Sequence, residues 1–213
     1  MRRYFQSVGS FLGQLGSHYK EIGAIAPSSR FLAREMVWNL RQSRGPLHIL
    51  EAGPGTGVVT VAIAKAMLPE DRLDIVEINP RFVEVLRERI ATEPVFAPHR
   101  DRIRVIHSGL EAVPGAASHD AIISGLPLNG FPTALVRSLL AAYDRLLRPG
   151  GTLTYFEYIA VRHLQRPLAN RVQRRRLHKL NKLFQERIRT RQFRRRAILA
   201  NLPPAWVRHL RRP

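Results

Sequence analysis

Leu47-His48-Ile49-Leu50-Glu51-Ala52-Gly53-Pro54-Gly55-Thr56-Gly57-Val58 is the stretch on which the fold turns. Leu47–Leu50 reads as a short buried strand, and Val58–Met67 has the length and spacing of a helix. Three glycines at every second position lie between them. Glycine tolerates positive φ and lets the backbone come close to a ligand. Twenty residues after Gly57 comes Glu77, at the end of the next apolar run, Leu73–Ile78. A carboxylate there can accept hydrogen bonds from both hydroxyls of a ribose.

Outward from this unit the pattern repeats. Arg81–Ile90 reads as a helix, Ile103–His107 and Ala121–Ser124 as strands, and Pro132–Leu147 as a helix. Arg148-Pro149-Gly150-Gly151 is a turn signal, and Thr152–Tyr158 is a β-rich strand. Such alternation predicts an α/β fold, a parallel sheet with helices on both faces. Ala197–Ala200 and Ala205–Leu210 form a closing strand pair around Asn201-Leu202-Pro203-Pro204.

The glycine spacing excludes two common nucleotide motifs. A dinucleotide fingerprint needs a third glycine where Val58 stands, and a phosphate loop needs Gly-Lys-Ser/Thr. Glu51-x-Gly53-x-Gly55-x-Gly57 followed by Val76-Glu77-Ile78-Asn79-Pro80 instead resembles the first two motifs of class I S-adenosylmethionine-dependent methyltransferases. The resemblance implies a Rossmann-like, mostly parallel seven-stranded sheet over a core of about residues 45–160 in a single domain, 1–213. It implies cofactor contacts from Glu51, Gly53, Gly55, Gly57, Glu77 and Ile78. In the third motif, Ile106-His107-Ser108-Gly109-Leu110-Glu111, glycine occupies the usual acidic position, and the Leu110 backbone or Glu111 is the substitute. Ser124 and Leu126 complete the cofactor set.

Three further stretches narrow the resemblance. Ile22-Gly23-Ala24-Ile25-Ala26-Pro27-Ser28-Ser29-Arg30, Ile122-Ile123-Ser124-Gly125-Leu126-Pro127-Leu128-Asn129-Gly130-Phe131-Pro132 and Asn201-Leu202-Pro203-Pro204-Ala205 are similar to stretches of the small bacterial phospholipid N-methyltransferases. That family methylates phosphatidylethanolamine, and related enzymes methylate the ornithine lipid amine. The resemblance implies Ser28, Ser29, Pro127 and Asn129 as substrate contacts. The rival is an RNA adenine N6-methyltransferase, whose Asn/Asp-x-Pro-Tyr/Phe loop stacks an aromatic ring on a flipped base. Here Leu128 stands at the aromatic position.

A lipid amine is protonated at neutral pH and must lose a proton before it attacks the methyl group. Tyr19, Glu157 and Tyr158 are the catalytic candidates, with His163 behind them. Glu157 and Tyr158 end a strand, where α/β sheets place their ligands. An aromatic face can also hold the amine as a cation.

The chain has 213 residues, 45% hydrophobic, enough for a core, and a net charge of +19. Without cysteine it has no disulfide, thiol nucleophile or cysteine zinc site, and no metal is expected. Residues 161–213 hold 17 Lys and Arg against one acid, Glu186, whereas residues 1–160 are nearly balanced. The charge calls for a polyanion, nucleic acid or an anionic membrane, and composition does not separate the two. Residues 1–20 have Tyr4, Phe5, Val8, Phe11, Leu12 and Leu15 at helical spacing behind Arg2 and Arg3, a helix for the membrane interface or for the domain itself. Residues 161–196 read as a basic helical insert beside the substrate mouth. No window is apolar enough to span a bilayer and no signal peptide is evident. The expectation is a cytoplasmic protein attached peripherally to the inner face of the cell membrane. Anionic lipid and an amine-bearing lipid are its expected partners, and nucleic acid is not.

Overall fold

The computed structural model describes residues 29–42, 45–128, 131–159 and 184–213. Strands β1 (His48–Ala52), β2 (Arg72–Glu77), β3 (Ile103–His107), β4 (His119–Ser124) and β5 (Leu147–Tyr158) pair in parallel. Strands β6 (Gln192–Ile198) and β7 (Ala205–Arg211) complete one seven-stranded sheet in the order β3-β2-β1-β4-β5-β7-β6. β7 runs antiparallel to β5 and β6. The expected Rossmann-like architecture is present. The order reverses between β1 and β4, so the loops leaving these two strands diverge and open a crevice at the carboxyl end of the sheet.

Both faces of the sheet are covered, which is why apolar residues on both sides of its central strands are buried. Ile49 and Ile75 point to the face packed by helices α1 (Arg30–Met36), α2 (Val58–Ala64) and α3 (Pro80–Thr92), among Leu32, Met36, Ile63 and Leu86. Leu50, Val76 and Ile122 point to the other face, against Leu139 and Tyr143 of α4 (Thr133–Leu146) and Phe184 of the helical residues 184–191. Helix starts follow local chemistry. Asn79 caps α3, its side chain accepting from the Arg81 N–H at 3.0 Å, and Pro80 takes the first helical position, where a missing N–H costs nothing.

The boundaries correct the sequence reading in three places. α2 ends at Ala64, because Leu68-Pro69 forbids further helical turns, although Met67 stays in the core. Arg148–Gly151 does not precede β5 but bulges within it: Leu147 pairs with His119 and Thr152 with Ala121, with Gly150 at φ 77° between. β6 begins at Gln192, so Gln192–Arg196 pair with β7 as strand and are not part of a helical insert. The expected helix over residues 1–20 lies outside the described residues, as do 161–183 of the basic stretch.

Candidate functional site

The loops leaving β1 and β4 touch. The Gly53 N–H donates to the Val76 carbonyl (3.0 Å) and the Gly125 N–H to the Ala52 carbonyl (2.8 Å). Gly53, Gly55 and Gly57 have φ of 69°, 56° and 85°, a region that only glycine enters freely. A Cβ on Gly53 would lie 2.4 Å from Cδ2 of Leu126, and one on Gly125 would lie 2.4 Å from the Gly53 carbonyl oxygen. The first collision is with a flexible side-chain tip and the second with backbone, so Gly125 is the stricter requirement. Beside Gly55 a Cβ would meet nothing within 4 Å. The loop therefore turns a bare stretch of backbone toward open space.

Two carboxylates flank that space. Glu77, at the end of β2, accepts from the Ile78 and Asn79 N–H groups at 2.8 Å and from the Gly55 N–H at 3.3 Å. Burial pushes its carboxyl above the ordinary value, and the three backbone donors pull against that rise. Glu51 is 1% exposed. Its Oε2 accepts from the Thr60 hydroxyl at 2.7 Å, while Oε1 has no hydrogen-bond partner. Burial pushes its carboxyl to about 8, against the help of Thr60. A buried carboxylate oxygen without a donor is costly, and a cationic ligand group beside it would restore the ionised form.

This set fits S-adenosylmethionine. Its ribose matches the carboxylate of Glu77, its methionine ammonium answers the orphaned oxygen of Glu51, and bare loop backbone admits its close approach. The relatives agree on the cofactor. A methyltransferase domain model matches residues 49–151. The ornithine lipid N-methyltransferase of Singulisphaera acidiphila is 34% identical over 142 residues, 67% of this chain and 73% of that protein. The chain is a class I S-adenosylmethionine-dependent methyltransferase. The tRNA1(Val) (adenine(37)-N6)-methyltransferase of Aeromonas hydrophila is 30% identical over 118 residues, 48% of either chain. Among solved structures, the O-methyltransferase from Bacillus cereus with S-adenosyl-L-homocysteine shares the fold at TM-score 0.62 and 16% identity, covering 95% of this chain and 91% of that one. The N-methyltransferase NodS from Bradyrhizobium japonicum, also with S-adenosyl-L-homocysteine, does so at 0.59 and 17%, covering 84% and 85%.

The methyltransferase distributes the remaining candidate residues unevenly. Leu126 and Pro127 line the loop after β4 half-buried, and Ile78 lends its N–H to Glu77. Leu110 is buried beneath the end of β3. Glu111 accepts from Ser138 of α4 at 3.1 Å, so its carboxylate is used inside the fold. The hydroxyl of Ser124 is fully buried, 2.7 Å from that of Tyr143, and also receives the Leu126 N–H. Ser124 thus shapes the loop from beneath. Ser29 caps α1 through the Leu32 N–H, and its own N–H donates to Asn201 Oδ1 at 2.9 Å. Glu157 is buried at the end of β5 in an ion pair with Arg208 of β7 (2.5 Å). Tyr158, half-buried at the end of β5, packs edge-on against Phe156. Tyr19, Ser28, Asn129 and His163 lie outside the described residues.

Gly125 and Arg208 went unassigned in the sequence. Gly125 follows a strand as glycine does in many turns, and Arg208 is one arginine among 31. At the opposite, amino end of the sheet, Asp74 gathers His48 (3.1 Å), His119 (3.2 Å) and both arms of Arg104, and ligand-type atoms of His48, Asp74 and His119 lie within 4.8 Å of one another. Arg104 already balances the Asp74 charge there.

Proposed function

We propose that this methyltransferase transfers methyl groups to the amine of a membrane lipid, ornithine lipid or phosphatidylethanolamine, at the cytoplasmic surface of the cell membrane. The similarity to the ornithine lipid enzyme, across two thirds of the chain, carries this reading. The loop after β4 supports it against adenine methylation. Leu128, at the position where base-binding loops carry an aromatic, is 2% exposed and packs into the α4-side core. It offers no face for a flipped base to stack on.

When bound, S-adenosylmethionine supplies an electrophilic methyl group on a sulfonium. Glu77 holds the ribose, Glu51 the ammonium end, and the loop from Gly53 to Gly57 sets the depth. The chain's remaining task is to aim a neutral amine along the line of the breaking bond, and positioning of this kind provides much of the rate. A half-buried mouth disfavours the ammonium form and lowers the amine's proton affinity. Tyr158, at the carboxyl end of β5, is assigned to hold the amine through its ring or hydroxyl. Tyr19, Ser28, Ser29, Pro127 and Asn129 are assigned to the same mouth, Ser29 also capping α1. Proton transfer is assigned to Tyr158, Glu157 or water, with Glu157 ion-paired to Arg208.

Expression in a host without methylated lipids, with labelled methyl donor, is the direct test. Label is expected in ornithine lipid or phosphatidylethanolamine derivatives. Label confined to RNA would overturn the lipid reading. Tyr158→Phe is expected to lower kcat with cofactor affinity unchanged, and unaltered turnover would remove its role.

A further inference from the structure

The two most exposed large apolar side chains among the described residues sit together. Leu199 is 73% exposed and Leu202 71%, both in the turn between β6 and β7. The turn is held firmly. Asn201, between the two leucines, is 2% exposed, accepts the Ser29 N–H through Oδ1 and donates through Nδ2 to the Pro203 carbonyl (2.8 Å). The Pro204 carbonyl accepts the Ile159 N–H just beyond the end of β5 (2.8 Å). Asn201 is thus turned inward, and the leucines that flank it are held outward in water. Burial drives leucine inside, so two of them fixed in solvent on a pinned turn call for a partner.

The same hydrogen bond brings in the start of α1. Phe31, two residues beyond Ser29, is 47% exposed, with the Arg30 guanidinium 5.0 Å from its ring centre. Arg34 and, on β6, Arg195 and Arg196 are exposed as well. No Asp or Glu follows Glu186 in the chain. The acid of α1, Glu35, is buried and paired with Arg194 at 2.7 Å. Apolar points ringed by arginine, with no exposed acid among them, match an anionic leaflet: leucine and phenylalanine enter the acyl boundary while guanidinium groups stay at the phosphates. Three side chains on two turns are too small a patch for a stable protein partner, which needs about 800 Å² on each side.

We propose that the β6–β7 turn and the first turn of α1 form a membrane-inserting tip, with Leu199, Leu202 and Phe31 entering an anionic lipid leaflet. The tip sits beside the carboxyl end of β5, so its insertion faces the substrate mouth toward the membrane. The proposal rests on the lipid-amine reading and adds the surface by which this substrate is met.

The chain lacks cysteine, so a single introduced one can carry a polarity-sensitive fluorophore. Leu199→Cys and Leu202→Cys are labelled, with Val85→Cys on α3, 41% exposed, as the control. The probe is vesicles of phosphatidylglycerol and phosphatidylethanolamine in equal parts. Blue-shifted emission is expected at 199 and 202 and not at 85. Leu199→Asp with Leu202→Asp is expected to cut vesicle binding about tenfold or more. Their unfolding temperature and transfer to a short-chain, dispersed amine lipid should stay unchanged. Labels that stay in water while the protein binds vesicles and methylates lipid would overturn the tip alone. Methylation of RNA with no vesicle binding would overturn the tip and the lipid reading together.

Discussion

Gly125 shows how much a missing side chain can decide. A Cβ there would collide with the carbonyl of Gly53, and backbone has nowhere to move without opening the crevice. Gly125→Ala should destabilise the protein by about 1–3 kcal/mol, the usual range for overpacking, and weaken cofactor binding; thermal unfolding and calorimetric titration read the two effects. Glu77→Ala should weaken S-adenosylmethionine binding at least about tenfold, the value of a lost charge-assisted hydrogen bond, in the same titration. Glu51 gives a pH signature. Its carboxyl in the empty protein is raised to about 8 from an ordinary 4.5, so the folded state keeps a proton that the unfolded state releases. Its contribution to stability is therefore full below about pH 4.5 and is lost as pH rises toward 8. Cofactor ammonium selects the ionised form, so affinity should rise between about pH 6 and 7.5, below the range where an α-amino group itself titrates. Glu51→Gln should flatten that rise.

At the scale of elements, β7 and the turn before it do more than close the sheet. Arg208 is buried against Glu157 of β5, and its other arm donates to Gln192 of β6 at 2.7 Å, tying three strands. Glu157→Gln leaves that guanidinium buried without a counter-charge and should cost about 3 kcal/mol in denaturant unfolding. Thermal unfolding under the same conditions should show the same loss. Asn201 links the β6–β7 turn to α1 across 172 residues of sequence. This contact explains why the Ser28-Ser29 and Asn201-Pro203-Pro204 stretches belong to one pattern, a relation that no local reading of either could reveal.

At the scale of the molecule, charge and chemistry are separated. The cofactor loop and strands β1 to β5 come from the nearly neutral part of the chain, and the excess of positive charge, with β6 and β7, comes after residue 160. Part of that charge is spent internally: Arg187 and Arg191 both reach Asp144 of α4 (2.8 and 2.6 Å), fastening the helical residues 184–191 to the core. Along β6, the charge of Arg195 and Arg196 is exposed. If it serves attachment to anionic lipid, raising salt from about 0.1 to 1 M, where the screening length falls from about 10 to 3 Å, should release the protein from vesicles. Cofactor binding, governed by buried groups, should persist under the same conditions.

The alternation of strands and helices, the glycine loop and Glu77 are legible in the sequence, because each depends on spacing within one unit and on the backbone freedom of glycine. The resemblance that names the cofactor is carried there too. Which side chains each polar group meets is set by the three-dimensional packing. Glu157 and Ser124 are candidates from the sequence, and Arg208 and Tyr143 reach them from segments 51 and 19 residues away. Whether a carboxylate or hydroxyl is a catalyst or a brace depends on what the fold packs against it, and that partner is a long-range fact.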